Sequence, residues 1–121
     1  QTRTIVIVSN APPQTAPDQA TVNAGGTVII DVLANDSATE GTLDSATVTI
    51  IQQPLKGTAT VNTETGSVTY QAAVTSEGSD SFTYIVKDTN GVSSEAATVT
   101  ITINNAGETG STLYLPIILL D

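Results

Sequence analysis

The sequence predicts an all-β fold built as an antiparallel sandwich, and three observations carry that prediction. Hydrophobic residues make up 39% of the chain and charged residues only 12%; the aliphatics are accompanied by many threonines, a mixture that suits a pleated, half-buried surface. Where a pattern is clean its period is two, and nowhere does a helical period emerge. Runs of roughly five to ten such residues are separated by Gly, Pro, Asn and Asp turn signals, as in two packed sheets. At 121 residues the chain has enough length for one domain with a single core.

The elements follow in order. Residues 4–8 (TIVIV) form a short apolar, β-branched run. Residues 9–18 (SNAPPQTAPD) carry Pro12, Pro13 and Pro17, and read as an extended, fairly stiff spacer. Gly25-Gly26 marks a turn before a strand over 27–33, and 34–44 (ANDSATEGTLD) is a loop of turn formers. A second strand, 46–52, stops at Pro54. Residues 58–62 and 67–71 flank the short loop TETG, which closes on Gly66, and read as a hairpin. A loop then leads to a strand over 80–87, the turn DTNG (88–91), and a long strand over 92–104.

That last strand has the clearest alternation. Val99, Ile101 and Ile103 share one face, while Thr98, Thr100 and Thr102 share the other. Phe82, Tyr84 and Val86 alternate in the same way with Ser81, Thr83 and Lys87, although Ile85 interrupts the polar face. Phe82 and Tyr84, with Tyr70 beside Val68, are therefore expected in the core.

Charge and composition exclude several function classes. Twelve acidic residues against three basic ones give a net charge of -9, a surface that repels phosphate backbones and anionic lipid heads. No segment has the roughly 18–20 apolar residues that a spanning helix needs. With no His and no Cys, the usual general base, the usual transition-metal ligands and any disulfide are missing. The glycine turns match no phosphate-binding pattern, and four aromatics, three of them core-directed, make a poor sugar platform. An enzyme is not expected. An opening on Gln1 and the absence of Met lead to the expectation that an original start has been removed; removal with a signal peptide predicts an exported, extracellular or cell-surface protein, with simple trimming as the alternative.

Three motifs, NAPPQTAPDQATVNAGGTVIIDVLANDS, QPLKGTATVNTETGSVTY and GSDSFTYIVKDTNGVSSEAATVTITI, follow one another as in the bacterial Ig-like, cadherin-like repeats of large surface adhesins. The chain resembles that family over residues 10–104. The resemblance implies an Ig-like sandwich, and in that family the loop after DVLAND is often richer in aspartate and can hold calcium. Here the matching loop keeps Asp36, Glu40 and Asp44, three acidic groups within nine residues, so a Ca²⁺ ion, which wants six to eight oxygens, is the one cofactor to consider. A plain solvated loop is the competing reading. Lys–Asn cross-links occur in Ig-like surface domains, yet nothing in the sequence places an Asn and an acid beside Lys56 or Lys87. Asn35-Asp36-Ser37 is a formal glycosylation acceptor.

The resemblance leaves two apolar ends over. Residues 1–9 hold Ile5, Val6, Ile7 and Val8; residues 106–121 hold a linker and a tail with Leu113, Leu115, Ile117, Ile118, Leu119 and Leu120. Both runs are apolar on both faces of a strand, which calls for cover on two sides. Pro116 cannot donate to a ladder, so the tail fits an edge or groove better than mid-sheet. Burying the six tail aliphatics yields about 9–18 kcal/mol gross, and ordering nine residues costs about as much; a specific acceptor must decide. Residues 4–8 look like the closing strand of a preceding repeat.

These ends predict extra N- and C-terminal strands flanking a sandwich over 10–105. They also predict a structural subunit of an extracellular filament, assembled from copies of itself head-to-tail by strand exchange. The alternative expectation is an Ig-like repeat of a bacterial surface adhesin, calcium-binding or not. A tail folded back on its own domain is the simplest structural outcome.

Overall fold

The computed structural model of the chain describes residues 11–105; the two apolar runs and the interface residues expected on them lie outside the described residues. Seven strands follow in order: β1 (Asp18–Asn23), β2 (Thr27–Ile30), β3 (Leu43–Gln52), β4 (Gly57–Val61), β5 (Val68–Ala72), β6 (Gly78–Asp88) and β7 (Ala97–Asn104). They form two sheets, β1-β7-β6-β3 and β2-β5-β4. The expected all-β, Ig-like sandwich is what the chain forms.

Alternation builds the core. β7 reads buried-exposed along its whole length, with Val99 and Ile101 fully buried and the threonines outside. β6 buries Phe82, Tyr84 and Val86 completely, and Tyr70 joins them from the facing sheet. Val32, Val48, Val68 and Ile103 complete the layer between the sheets.

The sandwich is antiparallel with one exception. β1 runs parallel to β7, with Asp18 opposite Val99 and Asn23 opposite Asn104. This strand is not foreseen in the sequence, because DQATVN buries only Val22. The segment before it is also not the free spacer that its prolines suggest. Gln14 and Ser37 exchange backbone hydrogen bonds of 2.7 and 2.9 Å. The Ala16 N–H donates to Asp36 Oδ1, Asn35 Nδ2 to the Pro17 carbonyl, and Thr39 Oγ1 to the Pro12 carbonyl. Proline fixes the segment in an extended form, and extended backbone is what these partners need.

Two strands are shorter than expected. β2 stops at Ile30, and residues 31–36 turn, with Ala34 N–H on the Asp31 carbonyl and Asp36 N–H on that of Leu33. The long strand expected from residue 92 begins only at Ala97. The Ser94 hydroxyl accepts the Val86 N–H and donates to the Glu95 carbonyl, so a side chain replaces the regular ladder there.

This topology gives the domain two poles. Pro12, Ser37, Thr39, Thr42 and Thr89 gather at the pole where the chain comes in. Gly25, Ala73 and Asn104 gather at the opposite pole, where it leaves.

Candidate functional site

At the N-terminal pole the Tyr84 hydroxyl faces three acceptors. It lies 2.9 Å from the Val32 carbonyl, 3.3 Å from Asp18 Oδ2, and in a short contact with Asp36 Oδ2. A phenol has one proton to donate, so it cannot satisfy all three at once. Burial, then the neighbouring Asp36 charge, pushes the Asp18 carboxyl up to about 6. Burial also raises Asp36, against the opposing hydrogen bonds from Tyr84 and Ala16. Burial and the two carboxylates raise the Tyr84 hydroxyl too, so it stays protonated. A proton held on one aspartate lets that group donate in turn. The arrangement fastens β1 and the 31–36 turn to β6 through the tip of one core tyrosine.

Asp36, Glu40 and Asp44, the residues expected to hold calcium, are not brought together. Asp36 is taken by Tyr84 and Ala16, while Asp44 Oδ1 accepts the Ala46 N–H in a local turn. Among the described residues no group of three or more acidic side chains is placed to hold a metal ion. The physical reason is that Asp36 turns inward to a phenol.

Inside the domain, Asp80 forms a second acid–tyrosine pair that sequence reasoning missed. Its Oδ2 accepts the Tyr70 hydroxyl at 2.7 Å and the Lys56 N–H at 2.8 Å; its Oδ1 accepts the N–H groups of Leu55 and Ser81. Burial alone would raise this carboxyl, but the four donors outweigh it and hold it below the usual aspartate value. The signal was available: Asp80, Phe82, Tyr84, Val86 and Asp88 share one parity of β6, and all five are buried. Asp88 likewise caps its own turn, accepting the Asn90 and Val92 N–H groups on Oδ1.

Asp80 positions the β3–β4 connection, and with it the C-terminal pole. There a depression of about 620 Å³ is lined by Leu55, Gly57, Thr58, Ala73 and Ser76. A smaller one of about 260 Å³ adjoins it across Gly57, Thr58 and Ala73, and reaches Val74. Leu55 is 91% exposed and Val74 81% exposed. The fold also places what the sequence did not: the Lys56 ammonium donates to the Glu77 carbonyl, and Asn105 Nδ2 to Glu77 Oε1 at 2.8 Å. These contacts are exposed, and so is the Lys56 side chain. Lys87 is exposed as well.

The family model described as "Bacterial Ig domain" matches residues 10–102. No protein of curated function matches. Among solved structures, the chain is similar to a SusE-like surface located polysaccharide binding protein from the Bacteroides thetaiotaomicron heparin utilisation locus. That match has 15% identity and a TM-score of 0.45, and covers 78% of this chain but 16% of the other. It is also similar to InlP of Listeria monocytogenes, at 19% identity and a TM-score of 0.37, over 74% of this chain and 26% of that one. The chain thus spans only 16% and 26% of the length of these two proteins.

Proposed function

The chain belongs to the bacterial Ig domain family, and on that premise we propose that it is a non-enzymatic, tension-bearing module of a bacterial cell-surface or extracellular protein. Its described part joins whatever precedes residue 11 to whatever follows residue 105. The observation that carries this reading is the parallel β1–β7 pair. Force pulls the start of β1 towards one pole and the end of β7 towards the other. Two strands loaded in that way slide past each other, and the hydrogen bonds of the ladder must yield together rather than one by one. The bonds from Gln14, Ala16, Asn35 and Thr39 add further fastening before β1 is reached.

The acidic surface fits a place outside the cell and away from nucleic acid and anionic lipid. The absence of His and Cys from the sequence fits a role without chemistry.

Filament assembly by strand exchange is the weaker reading. The edge of β7 that a donated strand would occupy is filled by β1 of the same chain, and Val99 and Ile101 of β7 are already fully buried. Size-exclusion chromatography and negative-stain microscopy of the full chain test this directly. Monomers across a wide concentration range support the module; filaments would overturn it and restore strand exchange among copies.

A further inference from the structure

The C-terminal pole presents apolar surface that nothing in the described part of the chain covers. Leu55 and Val74 stand out on the rims of two adjoining depressions whose shared floor is Gly57, Thr58 and Ala73. Exposed aliphatics are unremarkable singly, but here the concavity between them has the size of a binding groove. Three of its polar side chains are engaged: Lys56 Nζ donates to the Glu77 carbonyl, the Ser76 hydroxyl to that of Ala73, and Glu77 Oε1 accepts from Asn105. What remains is a groove suited to aliphatic side chains.

The chain itself supplies such side chains close by. Asn104 accepts the Ala24 N–H, and Asn105 touches Glu77 on the groove wall, so the backbone leaves the domain at the rim. Residues 106–112 then precede Leu113, Leu115, Ile117, Ile118, Leu119 and Leu120. An extended link of that length reaches about 25 Å, ample to turn back over this pole. We propose that residues 113–120 of the same chain dock in this groove and cover Leu55 and Val74. Tethering decides between the same chain and a second copy. A short linker holds its segment at an effective concentration in the millimolar range, which a free copy matches only in very concentrated solution. Pro116 is compatible with a segment lying across a groove, where no continuous ladder is required.

The proposal stands apart from the tension-bearing reading and is tested separately. Because the chain has no cysteine, paired thiols report proximity without background. In the full-length protein, Leu55→Cys is combined with Leu115→Cys, and as a control Ile29→Cys, also exposed but on β2, with Leu115→Cys. Both pairs are oxidised in dilute solution, and each rate is normalised to the reaction of the single thiols with glutathione. Docking in cis predicts an intramolecular disulfide forming at least about tenfold faster for the Leu55 pair, the ratio expected if about 1.4 kcal/mol favours the docked tail. Equal rates, or disulfide-linked dimers from the Leu55 pair, would overturn it. A second readout uses the full chain labelled with 3-fluorotyrosine. Tyr70 and Tyr84 are fully buried, so the third resonance is Tyr114; it should shift on Leu55→Asp while the other two stay in place. A Tyr114 resonance indifferent to that substitution contradicts the proposal.

Discussion

The Tyr70 hydroxyl donates to Asp80 Oδ2 across 2.7 Å in the interior of the sandwich, joining β5 of one sheet to β6 of the other. Through the same carboxylate, the N–H groups of Leu55 and Lys56 are drawn in at 3.0 and 2.8 Å. One buried charge therefore ties the core to the loop that shapes the C-terminal pole.

Removing that charge should be costly. Asp80→Ala strands the Tyr70 hydroxyl and three backbone N–H groups, and should lower stability by about 3–5 kcal/mol, read from urea unfolding. Tyr70→Phe leaves the carboxylate its three backbone donors and should cost only about 1–2 kcal/mol. Equal losses would mean that the hydroxyl, not the loop, is the principal partner. Since the folded carboxyl is held below its ordinary value, its contribution is present above pH about 4 and is lost as pH falls through the folded value.

Asp18 works in the opposite direction. Its folded value is about 6 against an ordinary 3.8, so the folded state binds a proton that the unfolded chain has already released. That stabilisation is complete below about pH 4 and disappears as pH rises through about 6. Between pH 4.5 and 7.5 the melting temperature should therefore fall by a few degrees. Asp18→Asn should flatten the slope. Because the side chain is partly exposed, solvent screening keeps the effect modest. A melting temperature that rises over this range would refute the assignment.

Gly57 offers a packing test. A Cβ at this position would lie 2.3 Å from the Gln71 carbonyl oxygen and 2.7 Å from the Tyr70 hydroxyl oxygen. Backbone cannot give way cheaply, so Gly57→Ala should destabilise by about 2–4 kcal/mol. At Gly91 a Cβ would meet nothing within 4 Å, but its φ of 85° disfavours any side chain; Gly91→Ala should cost about 1 kcal/mol.

Much of the fold is legible in the residues themselves. Val99, Ile101 and Ile103 declare β7 by alternation, and the TETG loop declares the β4–β5 hairpin. What stays hidden is whatever polar residues build. β1 shows little because its partner, not its own hydrophobicity, makes it a strand. The inward carboxylates Asp80 and Asp88 look solvent-facing by type and are betrayed only by their parity with Phe82. The loop acids Asp36, Glu40 and Asp44 allow a calcium site or a plain solvated loop by sequence, and neither reading shows that Asp36 finds a phenol and a backbone amide from distant parts of the chain. Long-range partners of this kind leave no local pattern. The Pro-rich segment misled for a related reason: extended, stiff backbone reads the same whether it spans open space or lies along a sheet edge.

The central claim is that β1 and β7 are held in shear between the two ends of the domain. Single-molecule pulling on two pairs of handles tests it most directly, again with thiols placed in a cysteine-free chain. Handles at residues 11 and 105 load the pair in shear, while Asn23→Cys with Asn105→Cys pulls both strands from the same end. The account predicts an unfolding force several-fold higher for the first geometry than for the second, because a ladder peeled from one end breaks bond by bond. Equal forces, or a lower force in the shear geometry, would contradict it.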